Sequence, residues 1–371
     1  MSEEEQQIRI QNFRCFKDLT VSGFKGVNLI GGKNNSGKTA LLEALLLYFY
    51  ADSDTAILLA KARKESYEFI RQQKKRAWNG LFYQGNLENK ISLTGTFGPR
   101  PKEINIRKKI EVYTSEYDRS GLELANNFNN LKIQLADFLG EEAFSLSILR
   151  IKDYVGDPPF DSTSDLVAYS QGFFPPQSKD ETILPFVSSF SHLSNEEIAQ
   201  EHDLIEFEGR GEHILNLLQV IDPAIQGLRT YSHVEPTLYL KTKDNPRGLP
   251  ISLFGEAIYR VTEMALALLN QDHNVLLIDE IENGIHHSSQ KQIWEALFYL
   301  SETLDTKIFA TTHSREMIEA FEEVGSREEF CDRAAYIELV RGPQPEDIIA
   351  ISRDMNKLQY RLKRNKPVRG E

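Results

Sequence analysis

Apolar and polar positions alternate over Ile8 to Ile10 and the pattern breaks at Asn12-Phe13-Arg14, which predicts a first strand and a turn. Val27 to Ile30 is short and mostly apolar, as in a buried strand, and Thr39 to Tyr50 predicts a helix with Glu43 as its one acid. Leu58 to Trp78 carries Lys61, Arg63, Lys64, Arg71, Lys74, Lys75 and Arg76, partly balanced by Glu65 and Glu68. It reads as a solvated helix face, the other reading being a basic surface for a nucleic acid or an acidic partner. Ile91 to Phe97 and Ile104 to Tyr113 predict an antiparallel pair, and Phe144 to Ile151 a further strand. Gly156 to Thr182, with Pro158, Pro159, Pro175 and Pro176 among Ser, Asp and Gln, predicts an irregular loop.

Helical spacing returns over Asn195 to Phe207 and His213 to Val220, then Leu228 to Leu240 predicts strands and Lys243 to Gly248 a turn. Glu256 to Asn270 and Gln292 to Leu300 predict helices. Asn274 to Glu280 and Lys307 to Thr312 predict buried strands, the first ending in two acids and the second at His313. The polar C-terminus clusters Lys357, Arg361, Lys363, Arg364, Lys366 and Arg369; it is expected to be a solvated, fraying helix, with partner or nucleic-acid docking as the other reading. No internal repeat or long heptad run interrupts this order.

The 371 residues can bury a full core, and 26% charged with 40% apolar residues is ordinary for a soluble globular chain. Two cysteines, Cys15 and Cys331, form neither a disulfide framework nor a metal spacing, so a reducing cytoplasm is expected. The acidic start MSEEEQQ is not that of a signal peptide, and Leu41 to Tyr50 is too short to span a bilayer. A net charge of −12 argues against broad non-specific DNA coating as the main task, though not against a local basic groove.

The chemistry concentrates in three places. Gly32 to Thr39, GKNNSGKT, fits G-x-x-x-x-G-K-[ST] between a strand and a helix. Gly32 and Gly37 let backbone N–H groups turn toward a phosphate chain; Asn34, Asn35, Ser36 and Ala40 complete the cradle and its helix start. Lys38 supplies charge to the β/γ-phosphates, Thr39 a hydroxyl to Mg²⁺, and the helix N-terminus its partial positive charge. Asp279, at the end of its strand, is placed to hold Mg²⁺ beside Thr39, and Glu280 to orient or deprotonate an attacking water. His313, one strand later, can reach a γ-phosphate. His286 and His287 near Glu282 read as a polar turn, since no further ligand set accompanies them.

These residues resemble the ATP-binding-cassette superfamily in its non-transporter branch of SMC, RecF and OLD proteins. GGKNNSGKT, LLIDE, IENGIHH and ATTHS are most similar to the OLD-like, abortive-infection-type AAA ATPases of bacteria, as are IQNFRCFKD, WNGLFYQGNL and IDPAI. The resemblance extends over nearly the whole chain. It implies an α/β fold of the ABC-type P-loop NTPase head: a mixed central sheet with flanking helices, an antiparallel β lobe and an inserted helical lobe. Its division would be an N-terminal ATPase part over 1–50, the inserted lobe over 51–250, the signature and strand-end acids over 251–330, and a C-terminal strand, helix and basic tail over 331–371.

The resemblance further implies ATP with Mg²⁺ sandwiched between two protomers of a homodimer or higher homo-oligomer. One would supply Gly32–Thr39, Asp279, Glu280 and His313; the other a signature segment at Ser252-Leu-Phe-Gly255-Glu256. That segment departs from L-S-G-G-[QE], with Ser252 and Gly255 one residue further apart or the serine replaced by Leu253. Glu282, Asn283 and Gly284 take the place of the loop that crosses the interface, and Gln84 is the candidate Mg²⁺-sensing glutamine. Roughly 240 residues separate the two nucleotide motifs without coiled-coil periodicity, which disfavours a long-armed protein. The sequence runs about 60 residues past His313, less than a usual nuclease domain, so any nuclease or toxin effector is expected to be a separate polypeptide. The expected role is an ATP-driven cytoplasmic switch in antiviral defence. A RecF-like DNA repair ATPase, with DNA as partner, and a non-hydrolysing ATP-bound scaffold stay open beside it; a transporter cassette is disfavoured by the altered signature, and no membrane partner is expected.

Overall fold

The computed structural model describes residues 5–62, 76, 78–98, 100–114, 143–155, 160–169, 172–174, 185–189, 192–231, 235–269, 274–344 and 347–368. The element that positions the site is a six-stranded mixed sheet. Its order is Ile348–Arg353, Ala334–Arg341, Val27–Gly32, Lys307–Thr312, Val275–Ile278, Phe186–Val187, and all neighbours are parallel except the first pair. Strands buried on both faces read as continuous apolar runs, which is why VLLI and KIFATT show no alternation.

Alternation survives in the partners each residue packs against. Leu276, Ile278, Ile308, Ala310 and Leu29 face one core, with the helices Asn195–Phe207, Gly211–Ile221, Glu256–Leu269, His287–Thr303 and Arg315–Gly325. Val275, Leu277, Phe309, Ile30 and Ile337 face the other, with the helix Lys38–Phe49 and a second sheet. This period of two is the pleat itself. The second sheet is antiparallel and seven-stranded: Phe16–Phe24, Gln6–Phe13, Ile91–Thr96, Lys102–Thr114, Ala143–Val155, Phe160–Tyr169, Gly172–Phe174. A three-stranded sheet, Ile225–Tyr231, Thr237–Thr242 and Leu249–Pro250, lies with the helices of the first core. The fold class is therefore the expected one, a mixed α/β fold with parallel and antiparallel sheets.

One buried ion pair fastens the two sheets' shared helix. Arg14 Nε donates to Glu43 Oε2 at 2.8 Å, and Arg14 Nη1 to the Gly80 carbonyl at 2.8 Å. Glu43 is the single acid in an apolar helix because it receives this arginine from the first hairpin.

Several expectations change. The proline-containing stretch expected as a loop holds the strands Phe160–Tyr169 and Gly172–Phe174, because pairing with Ala143–Val155 and with each other supplies partners that composition does not reveal. Of the helix expected over Leu58 to Trp78, the described part, Leu58 to Ala62, is helical within Ser53–Ala62, and 63–75 and 77 lie outside the described residues; Trp78 has φ 62° and opens a 3₁₀ turn, Asn79–Leu81. The C-terminal helix Met355–Lys363 does more than fray in solvent. Met355, Leu358 and Leu362 are buried and Asp354 caps it, accepting from Lys357 N at 2.7 Å. Among the described residues no helix is long and apolar enough to cross a membrane.

The helix Asn195–Phe207 begins in a capping box: Glu197 N donates to Ser194 Oγ at 3.2 Å and Ser194 N to Glu197 Oε2 at 2.5 Å. Ser194→Ala is expected to lower unfolding stability by about 1 kcal/mol, read from urea melts with the slope unchanged.

Candidate functional site

Three parallel strands, Val27–Gly32, Lys307–Thr312 and Val275–Ile278, end beside one another, and the site is assembled from the segments that leave their carboxyl ends. Open parallel sheets bind ligands at these ends. The first strand leads into Gly32–Thr39. Gly37, at the helix N-cap, has φ 95°, and a Cβ there would lie 2.8 Å from the Phe16 ring. A Cβ on Gly32 would lie 2.8 Å from the Leu339 carbonyl and collide with Ser36 Oγ. Both glycines are thus required by space, and Gly37 also by backbone conformation. Arg341, at the end of the neighbouring strand, donates to the Asn35 carbonyl at 2.9 Å and pins the outside of the loop.

Lys38 lies folded along this loop, its Nζ donating to the carbonyls of Gly32 at 2.8 Å and Lys33 at 3.0 Å. Burial holds its pKa below the usual lysine value, against the opposing pull of Glu280, Glu282 and Asp279. Ser36 Oγ is buried with no hydrogen-bond partner among the described residues. A polar atom orphaned inside a glycine-built cradle fits an anionic ligand with acceptor oxygens.

Asp279 is 1% exposed and is bonded by hydroxyls from three separate segments. Thr39 Oγ1 donates to Oδ1 at 3.0 Å, Thr311 Oγ1 to Oδ1 at 2.7 Å, and Ser189 Oγ to Oδ2 at 2.7 Å. No ion pair of Asp279 occurs among the described residues. A carboxylate and a hydroxyl, both hard oxygen donors in contact beside a phosphate cradle, fit a Mg²⁺ that reaches them with the nucleotide. Thr39 and Asp279 would hold it.

Glu280 is in the left-handed region, φ 49°. The chain therefore turns at the strand end, so the two adjacent acids are not held to opposite faces. The turn is fixed by Glu280 N donating to Thr311 Oγ1 at 2.8 Å, and Asn283 Nδ2 donates to Glu280 Oε2 at 3.1 Å. Glu280 stays partly accessible at 32%, as a carboxylate that meets water must. His313 Nδ1 lies 3.0 Å from Glu282 Oε1 and 3.8 Å from Glu280 Oε1, and Glu282 Oε1 also accepts from the N–H groups of His313 at 2.8 Å and Ser314 at 3.2 Å.

Lys38, Thr39, Asp279, Glu280 and His313 thus converge. No hydrogen bond or ion pair among the described residues joins Ser252, Gly255 or Glu256 to this cluster. They are exposed at the start of the helix Glu256–Leu269, Gly255 having φ 85° and no atom within 4 Å of its Cβ position. Gln84 occupies an exposed turn and donates to the Tyr83 hydroxyl at 3.1 Å, while the strand beside Val275–Ile278 delivers Ser189 to Asp279. His286 caps the helix His287–Thr303 by accepting from Ser288 N. Among the described residues no group of three or more His, Cys, Asp or Glu is placed to hold a metal on its own. Three contributors do not stand out in the sequence: Ser189, Thr311 and Arg260, whose guanidinium donates to the carbonyls of Ser188 and Asp279. Thr311 lies within ATTHS, but a threonine at a strand end carries no distinguishing signal by itself.

The sequence family described as an AAA domain matches residues 7–161, and the one described as an AAA ATPase domain matches 249–318. The first span holds Gly32–Thr39; the second holds Asp279, Glu280, His313 and Ser252–Glu256. An ATP/GTP phosphatase of Helicobacter pylori is 27% identical over 353 residues, covering 88% of this chain and 89% of that protein. The DNA replication and repair protein RecF of Nitrosococcus oceani is 39% identical over 62 residues, 17% of each chain. Among solved structures, an Smc head bound to the C-winged helix domain of ScpA aligns with TM-score 0.48 and 11% identity over 96% of this chain and 99% of that one. Two stretches of the chain are thus similar to AAA-type ATPase domains, and a part of its length is similar to RecF.

Gly37→Ala places a side chain at φ 95° against Phe16. It is expected to lower stability by roughly 1–3 kcal/mol in a urea melt, through backbone strain and overpacking.

Proposed function

We propose that this chain is an ATP-hydrolysing molecular switch. The observation that carries the reading is the joining of Thr39 to a buried Asp279, with Glu280 one residue on and water-accessible. Gly32–Thr39 and Ala40 would bind the phosphates, and Lys38 would leave the Gly32 and Lys33 carbonyls for the β/γ-oxygens. Magnesium, when bound, supplies charge neutralisation at those oxygens. Glu280 would take the proton of the attacking water, held in its left-handed turn by Thr311 and Asn283. His313, anchored on Glu282, would report the γ-phosphate.

The exposure of Ser252, Gly255 and Glu256 supports a second protomer's nucleotide as their target, and hence a homodimer or higher homo-oligomer closed by ATP. The domain division at 50, 250 and 330 is our reading of how the nucleotide parts bracket the inserted lobe. Within this reading the switch acts in bacterial cytoplasm and holds or releases a separate effector, a nuclease or toxin, in antiviral defence, after the similarity of its motifs to OLD-like ATPases. The similarity to RecF favours a second reading, a DNA repair ATPase whose hydrolysis is stimulated by DNA.

Lys38→Ala is expected to abolish nucleotide binding in a fluorescent-ATP titration. Glu280→Gln is expected to bind ATP normally and hydrolyse it about a hundredfold or more slowly in a phosphate-release assay. Hydrolysis by Glu280→Gln at the wild-type rate would remove Glu280 as the base. Absence of turnover in the wild type would leave an ATP-bound scaffold, and strong stimulation by DNA would select the repair reading.

A further inference from the structure

Arg260 is 1% exposed in the middle of the helix Glu256–Leu269. Its guanidinium donates to the carbonyls of Ser188 and Asp279, and one nitrogen lies 3.3 Å from the Glu280 carbonyl. These carbonyls end two adjacent parallel strands, Phe186–Val187 and Val275–Ile278. Burial pulls the arginine's pKa down, and the carboxylates of Glu263, Asp279, Glu256 and Glu280 oppose it. Burying a guanidinium against carbonyls costs more than filling the same helix–sheet contact with an apolar side chain. The arginine adds a rigid planar fork that bridges two strand ends at once.

The same helix grips the segment around Ser189 a second time. Glu263, 3% exposed, accepts from Leu193 N at 2.7 Å and lies 3.1 Å from His192 Nδ1; Tyr259 donates its hydroxyl to the Leu193 carbonyl at 2.6 Å. At its start the helix abuts Gly284, where a Cβ would lie 3.0 Å from Glu256 Cγ and 3.3 Å from Ala257 N. One rigid helix therefore touches the segments that carry Ser189, Asp279, Glu280 and Gly284, while Ser252, Gly255 and Glu256 at its N-terminus face solvent.

We propose that Arg260 is a positioning residue that fixes the strand-end carbonyls behind Glu280 and makes this helix a lever on hydrolysis. The proposal rests on the chain being an ATPase. The left-handed conformation of Glu280 persists only because its surroundings hold it, and Arg260 holds the two carbonyls that flank its peptide plane. A displacement of the helix N-terminus by a second protomer's nucleotide would be delivered through Arg260 to the carboxylate that meets water.

The test uses the full chain carrying Arg260→Gln or Arg260→Lys, with affinity for a fluorescent ATP analogue and single-turnover hydrolysis at saturating ATP measured side by side. Arg260→Gln is expected to keep ATP affinity within about threefold and to lose roughly tenfold to a hundredfold in rate, with Arg260→Lys between it and the wild type. Should Arg260→Gln not fold, the same split in Arg260→Lys decides. A rate equal to wild type overturns the proposal, as does a fall in affinity that matches the fall in rate, which marks a scaffold role. A wild type that binds but never hydrolyses ATP overturns the ATPase reading itself, and this inference with it.

Discussion

A carboxylate buried at the end of a parallel strand has to be compensated, and Asp279 accepts hydrogen bonds from three hydroxyls, with Lys38 and Arg260 acting on it through charge and no ion pair among the described residues. Left alone, such a group costs several kcal/mol in lost hydration. Its three donors come from the phosphate-loop helix, from Ser189 and from Thr311, segments far apart in sequence. They meet only if Val275–Ile278 lies between Phe186–Val187 and Lys307–Thr312 in parallel register, with Val27–Gly32 one strand further on. The order of the central sheet and the composition of the site are two descriptions of the same constraint. Hydroxyl donors neutralise no charge themselves, so the carboxylate keeps the character of a hard anionic ligand.

The two cores serve that arrangement from opposite faces. One seats the phosphate-loop helix through Leu41, Leu42, Leu45 and Leu46, with Arg14 and Glu43 locking it to the first hairpin. The other seats the helix Glu256–Leu269, through Val261, Met264, Ala265 and Leu268, against the back of the acidic strand end. The loop Gly32–Thr39 and the helix Glu256–Leu269 thus approach the strand end of Asp279 and Glu280 from different faces of the sheet.

Much of this was legible in the sequence because its physical causes are local. A glycine-rich loop between a buried strand and a helix has few other uses, and LLIDE announces both a strand without alternation and the acids at its end. Ser189, Arg260 and Thr311 were hidden for the opposite reason: each acts through a contact across the sheet, and nothing within a few residues marks it. The strands Phe160–Tyr169 and Gly172–Phe174 were obscured by the prolines around them, because strand pairing is decided by partners distant along the chain. Ser252 and Gly255 are exposed just before the helix Glu256–Leu269.

The most direct measurement is electron paramagnetic resonance of Mn²⁺, as a magnesium substitute, titrated into the purified chain with and without ATP. The account predicts about one tightly held Mn²⁺ per chain that needs the nucleotide and is lost in Asp279→Asn and in Thr39→Val. Tight Mn²⁺ binding without nucleotide, or binding undiminished in Asp279→Asn, would contradict it.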